Sequence, residues 1–291
     1  MKYNKLLPII MVHNVDFMYS NETVALKQVS LNIKQGEFVA IMGQNGAGKT
    51  TLIRTLNGLI RPTKGSVFIE GENIALKTIA MISKKVGIVF QNPMHQLFSN
   101  TIEDEIKFSL KNLNLDKAEI QFKINQILNE FDLEKFRKRS PLTLSGGESK
   151  KLAIASILCR DPDIIVFDEP TLGQDAKEIK FFLELVRKEL EQGKTIIMVT
   201  HNIEFTVEYV PRTILMEAGR IIADGPTQKI FTNEFLISKS SLILPQLYLL
   251  KKELEKIGII IPKELIKEHE IVDFLSSRLN IESIKLKEGD A

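Results

Sequence analysis

Along the chain, apolar positions follow two alternating periodicities. Four short runs, 37–42, 86–90, 163–167 and 195–199, are apolar almost without interruption and rich in β-branched residues. Glycine, polar or acidic residues follow each run closely. Strands buried on both faces read this way, as in a parallel sheet covered by helices. Between them lie stretches of helical spacing at 49–59, 117–132, 148–159 and 176–192. The alternation predicts an α/β domain with a parallel core sheet. The opening differs, because 9–19, 27–33 and 65–69 read as a smaller antiparallel sheet. The region from about 92 to 160 is mostly amphipathic helix and reads as a helical subdomain inserted between core strands.

Past Gly225 the pattern changes again. Leu247, Leu250, Leu254 and Ile257 recur at helical spacing, with Lys251, Lys252, Glu253 and Glu255 opposite. Ile271, Leu275 and Leu279 mark a second helix before a polar end. A main domain is therefore expected at 7–232 and a small helical appendage at 233–291. Each apolar stripe is too small to make a core alone. It must dock on the parent domain or on the equivalent appendage of a second subunit.

The chemistry begins where the third predicted strand ends. Gly43-Gln44-Asn45-Gly46-Ala47-Gly48-Lys49-Thr50 matches the P-loop pattern, directly after a strand and before a helix. In that context Gly43, Asn45, Gly46, Ala47 and Gly48 turn backbone N–H groups toward phosphate oxygens. The helix start, with Thr51 in its first turn, adds favourable partial positive charge. Lys49 reaches the β- and γ-phosphates of a nucleotide, and the Thr50 hydroxyl is a magnesium ligand.

Ile164-Ile165-Val166-Phe167-Asp168-Glu169 delivers two adjacent carboxylates to a strand's carboxyl end, where open α/β sheets bind ligands. Asp168 is expected to hold the magnesium and Glu169 to polarise the attacking water. Gln91 and His201 end two other strand runs and fit metal, water or γ-phosphate contacts. Leu144-Ser145-Gly146-Gly147-Glu148 opens an amphipathic helix with a good N-cap and a second set of backbone donors for an anion. A second phosphate cradle on one chain makes sense if it faces the nucleotide of another subunit.

Composition narrows the class of partner. The net charge of +2 comes with no clustered basic face, so an electrostatic nucleic-acid binder is not expected. No segment reaches the roughly 20 apolar residues of a spanning helix, and the amino terminus, broken by Pro8, lacks a signal-peptide cleavage site. A soluble chain is expected, serving any membrane process from the surface. The single cysteine, Cys159, precludes an intrachain disulfide and reads as a small buried thiol.

P-loop, glutamine, Leu-Ser-Gly-Gly, paired acids and histidine, in this order, resemble the ATP-binding cassette proteins over about residues 9–231. The resemblance implies an ATPase of P-loop fold, with ATP and Mg²⁺ as ligands and a second ATPase, itself or a paralogue, as partner. It further implies that Tyr19 stacks on adenine. Thr171-Leu172-Gly173-Gln174-Asp175 would be the loop that speaks across the dimer, with Asp175 at its acidic end. Two departures stand out: Gln174 precedes that aspartate in place of the commoner leucine, and Glu148 replaces the more frequent glutamine.

A narrower resemblance lies in Val89-Phe90-Gln91-Asn92-Pro93-Met94-His95-Gln96-Leu97-Phe98 and Thr101-Ile102-Glu103-Asp104-Glu105-Ile106. These are similar to the ATPases of energy-coupling factor importers of vitamins, cobalt or nickel. It implies a peripheral subunit on the cytoplasmic face of the membrane. Its partners would be a transmembrane coupling subunit and a substrate-binding membrane subunit. It also favours pairing through the appendages. His95 has no neighbouring ligand and reads as a contact residue, not a metal site. The alternatives are another cassette transporter, or a soluble cassette ATPase acting on nucleic acid or ribosomes. The second lacks support, since no sustained heptads lie between Lys49 and Asp168 and only one cassette is present.

Overall fold

A computed structural model describes residues 8–240 and 246–278 of the chain. The expected start at 7 and everything from Leu279 onward lie outside the described residues.

The two strand patterns become two sheets. β1 (Ile10–Met18), β2 (Val24–Ile33), β4 (Lys64–Ile69) and β5 (Glu72–Asn73) form an antiparallel sheet in the order β2-β1-β4-β5. The core sheet runs β10-β9-β3-β8-β7-β6. In it β3 (Phe38–Met42), β6 (Val86–Val89), β7 (Ile164–Asp168), β8 (Thr195–Val199) and β9 (Arg212–Glu217) are parallel. The parallel core is as expected, and β10 (Arg220–Pro226) adds to it one edge strand that pairs antiparallel with β9. Ala218 and Gly219, both at positive φ, turn that hairpin in two residues, as a tight hairpin requires. The sequence offers no Asn-Gly or Asp-Gly there, so the turn gave no signal.

Why the core strands are apolar throughout is visible in their partners. Phe38, Ala40 and Met42 of β3 pack into one core, and Val39 and Ile41 into the other. Ile165 and Phe167 against Ile164 and Val166 divide in the same way, as the two-residue period dictates. The first core joins the sheet to α3 (Ile102–Leu110), α4 (Lys117–Glu130), α5 (Gly146–Leu158), α6 (Ala176–Glu191) and α7 (Ile203–Tyr209). The second joins it to the antiparallel sheet and to Leu52, Ile53 and Leu56 of α1 (Lys49–Leu56). α1 stops short of the expected 59, since Gly58 turns the chain at positive φ. The short α2 (Ile79–Ile82) lies between β5 and β6. Cys159 is buried as expected, and burial pushes its thiol up to about 12.

After β10 come α8 (Thr227–Phe231), α9 (Glu234–Ser240), α10 (Gln246–Lys256) and α11 (Glu268–Arg278). Ile230, Phe231 and Ile237 belong to the main core, so the boundary expected at 232/233 cuts through packed side chains. The appendage docks on its own cassette. Ile261 and Ile271 are buried, Gln228 donates to the Glu264 carbonyl at 2.6 Å, and His269 meets Glu208 at 3.2 Å. The expected stripe on α10 is split: Leu247 and Leu254 are half-buried, whereas Leu250 and Ile257 are exposed.

Candidate functional site

Four adjacent parallel strands, β3, β8, β7 and β6, end on one edge of the core sheet and bring the expected residues together there. At the end of β3 the chain turns through Gly43 to Gly48. A Cβ on Gly43 would lie 2.1 Å from the Met216 carbonyl oxygen, and one on Gly48 2.4 Å from that of Ala25. Only glycine lets the loop sit this close to β9 and β2. The β9–β10 turn buttresses it, with the Gly219 N–H donating to the Ala47 carbonyl at 3.1 Å.

Lys49 is 7% exposed, and its Nζ donates to the carbonyls of Gly43 (2.7 Å) and Gln44 (2.9 Å). Burial pulls its pKa down, and the nearby carboxylates of Glu169 and Asp168 oppose that. α1 has no side-chain cap and no acid in its first turn. Its open N–H groups and the loop around them therefore suit an anion.

β7 delivers the paired acids. Asp168 is buried, and desolvation, reinforced by Glu169, pushes it up to about 6 against the pull of Arg54 and Lys49. Glu169 is also buried and sits in the left-handed region at φ 49. A bulky residue rarely stays there unless its surroundings hold it. They do: Glu169 N–H donates to the Val199 carbonyl at 2.8 Å. His201 Nδ1 lies 2.8 Å from its Oε1, and Thr200 Oγ1 donates to Oε2 at 3.2 Å. Gln91, just past β6, lines a cavity shared with Asp168 and Glu169. The residues proposed to hold Mg²⁺, Thr50, Gln91 and Asp168, all offer oxygen, the donor type a hard cation takes. Among the described residues no cluster of three or more His, Cys, Asp or Glu suggests a different metal.

Tyr19 borders this site. Its hydroxyl is 2.9 Å from Thr51 Oγ1, and its ring packs edge-on against Phe17 with centroids 4.9 Å apart. Thr51 thus meets Tyr19 with its side chain, which leaves its backbone and helix position for any phosphate contact.

Ser145, Gly146, Gly147 and Asp175 sit apart, at the starts of α5 and α6. Ser145 caps α5 and exchanges hydrogen bonds with Glu148, whose carboxylate accepts from both the Ser145 N–H and hydroxyl at 2.8 Å. Those bonds, the backbone one first, hold Glu148 below the usual carboxylate range. A Cβ on Gly147 would lie 2.1 Å from Glu178 Oε1, the movable tip of a side chain, so the start of α5 lies beside the first turn of α6. Asp175 caps α6 through a capping box with Glu178.

Reading the sequence missed three neighbours. Thr200 orients Glu169, and its place just before His201 was the available signal. Lys150 donates to the Leu172 carbonyl. Gln96 Nε2 ties the segment after Gln91 to α5, donating to the Ala153 carbonyl at 2.7 Å and to Ser156 Oγ at 2.9 Å.

A P-loop joined to paired acids on one edge of a parallel sheet, with a capped Ser-Gly-Gly helix beside it, defines a nucleotide-binding cassette. The chain belongs to the ABC transporter family, whose sequence description matches residues 26–172. Within that family, it is 37% identical to an energy-coupling factor transporter ATP-binding protein, EcfA2, of Clostridium perfringens, over 88% of this chain and 93% of the relative. Among solved structures, cbiO1 of Clostridium perfringens, described as part of the ABC transporter complex cbiONQ, superposes with a TM-score of 0.70. It is 33% identical, covering 84% of this chain and 99% of that one. A dimeric ATP-binding cassette in a post-hydrolysis state, bound to ADP and Pi, superposes with a TM-score of 0.67 at 31% identity, covering 75% and 98%. The chain spans 44% of the length of three further relatives, all described as ABC transporter ATP-binding proteins.

Proposed function

We propose that this chain is the ATP-hydrolysing peripheral subunit of an energy-coupling factor type importer, on the cytoplasmic face of the membrane. It would power uptake of a vitamin or a transition-metal ion through a transmembrane partner. The observation that carries the ATPase reading is the fixed geometry of Glu169, strained in φ and bonded to His201 and Thr200 beside Asp168.

In this reading Lys49 and the open N-terminus of α1 bind the β- and γ-phosphates, and Tyr19 takes the adenine ring. Thr50, Gln91 and Asp168 would hold Mg²⁺, which when bound neutralises charge on the phosphates. Glu169 orients and polarises the attacking water, and His201, anchored to Glu169 through Nδ1, keeps its other nitrogen for the γ-phosphate. Preplaced charges in a desolvated site supply most of the rate, as in other P-loop NTPases. Ser145, Gly146 and Gly147 complete the site of a second cassette, whether an identical chain or a paralogue, and Asp175 lies in the loop that faces it.

The importer reading draws on the named relatives and on the surface beside Gln91. Met94, Phe98 and Phe108 are exposed there, and the two phenylalanines stack edge to face at 4.7 Å. Exposed aromatics and methionine in one place favour a protein contact. Among the described residues no helix is long and apolar enough to cross a membrane, so transport would need a separate spanning subunit. Tagged chain should be purified from native membranes in mild detergent and its partners identified. Co-purification of a transmembrane protein whose presence raises ATP turnover supports the proposal. Recovery with ribosomes or nucleic acid and no membrane protein overturns it.

A further inference from the structure

Beside the paired acids lies a cavity of about 20 Å³, lined by Gln91, Lys150, Asp168, Glu169 and Gln174 among others. Such a volume admits one water molecule, provided two to four polar groups receive it. The lining supplies them: carboxylate oxygens to accept, an ammonium to donate, and two carboxamides. One of these groups is unusual. Gln174 Oε1 is buried and has no hydrogen-bond partner among protein atoms. Acceptors buried in that state are rare in folded proteins, and an ordered water is the ordinary partner. The position sharpens the point, since the family resemblance led to leucine here. A leucine would fill the same space with no desolvation cost, whereas a buried carboxamide demands a partner.

We propose that Gln174 is a positioning residue that holds one water in this cavity, and that the water fixes Gln91 against Glu169. The water donates one proton to Gln174 Oε1 and the other to a carboxylate oxygen of the acid pair. It accepts from Lys150 or from the Gln91 amide. Lys150 already donates to the Leu172 carbonyl, so the 171–175 loop, α5 and the paired acids meet at this one point. Gln174 does not touch the nucleotide in this scheme. It sets the geometry of residues that do, and its kinetic part rests on the ATPase reading above.

Gln174→Met preserves length and volume and removes the acceptor, and Gln174→Leu restores the apolar residue of the family pattern. Crystals of the full chain diffracting well enough to place waters should show one at about 2.7–3.2 Å from Gln174 Oε1, missing in Gln174→Met. Steady-state kinetics should show kcat lowered on the order of tenfold in both variants with KM for ATP unchanged. Thermal unfolding should be unchanged, since a water-satisfied carboxamide is exchanged for an apolar side chain of similar volume. A merely structural glutamine would move the unfolding temperature and leave kcat alone, and that outcome overturns the positioning role. Protein density closing the cavity with no water overturns the whole proposal. If wild-type protein binds the water yet hydrolyses no ATP, the ATPase reading fails while the water site stands.

Discussion

Two helices of the cassette begin at glycine-bearing loops, and they begin in opposite ways. α1 has Gly48 at its N-cap, no side-chain cap, no acid in its first turn and a buried lysine as its first residue. α5 has Ser145 at its N-cap, a complete capping box, and Glu148 in its first turn. An uncapped helix start leaves N–H groups for an external anion, whereas a capping box satisfies them from within. On the proposed reading the first loop is an anion site finished inside one chain. The second is satisfied by its own carboxylate, and on that reading a phosphate brought by another cassette would have to compete with Glu148. Similar glycine content in sequence thus conceals two different states of readiness.

The sharpest break of this comparison lies at the acids that serve the first loop. Glu169→Gln should lower turnover on the order of 10²–10⁴-fold, because a water-polarising carboxylate is lost. ATP affinity should hold, since the amide still accepts from Thr200. Steady-state hydrolysis beside equilibrium nucleotide binding checks both parts. Equal turnover in variant and parent would remove Glu169 from the mechanism.

Lys49→Ala should act on binding, weakening ATP on the order of 10–100-fold through loss of hydrogen bonds to a charged partner. Fluorescent-nucleotide titration measures this directly. Unchanged affinity would mean that Lys49 serves only the two loop carbonyls it already meets.

Ser145→Arg tests the second loop by filling it with bulk. The variant should lose about tenfold or more in turnover while each chain still binds ATP at its own P-loop. If the chain pairs with itself, mixing Ser145→Arg with Lys49→Ala should exceed the summed activity of the two alone, since one composite site is then intact. Full activity of Ser145→Arg by itself would show that the second loop is only a helix start.

Much of this site was legible because its signals are local. The strand runs, the P-loop spacing and Asp168–Glu169 each fit in fewer than ten residues, and one sheet edge collects them. β9 and β10 escaped because Arg220–Pro226 carries no clean alternation and its turn, Ala218-Gly219, carries no usual hairpin pair. The α10 stripe misled for a different reason. Helical spacing reports a face but not its partner, and here half of that face is half-buried while Leu250 and Ile257 stay exposed. Gln96 and Lys150 were unreadable as site neighbours, since their partners lie on other elements and no spacing encodes them.

The smallest expected effect sharpens the comparison most. Glu148→Gln keeps the shape of the side chain and an oxygen to accept from the Ser145 N–H, but removes the negative charge from the start of α5. The capping box weakens only slightly, because an exposed carboxylate near a helix N-terminus contributes a few tenths of a kcal/mol to about 1 kcal/mol. An incoming phosphate meets less repulsion. ATP-dependent pairing, measured by sedimentation in a Glu169→Gln background, should tighten about three- to tenfold at low ionic strength. The gain should shrink as salt rises, since exposed charges are screened over about 10 Å at 0.1 M. Lowering the pH to neutral or slightly acid values cannot mimic it, because the Ser145 bonds hold Glu148 ionised below the usual carboxylate range. Pairing that is indifferent to both substitution and salt would mean that Glu148 has already swung away from α5 when two cassettes meet.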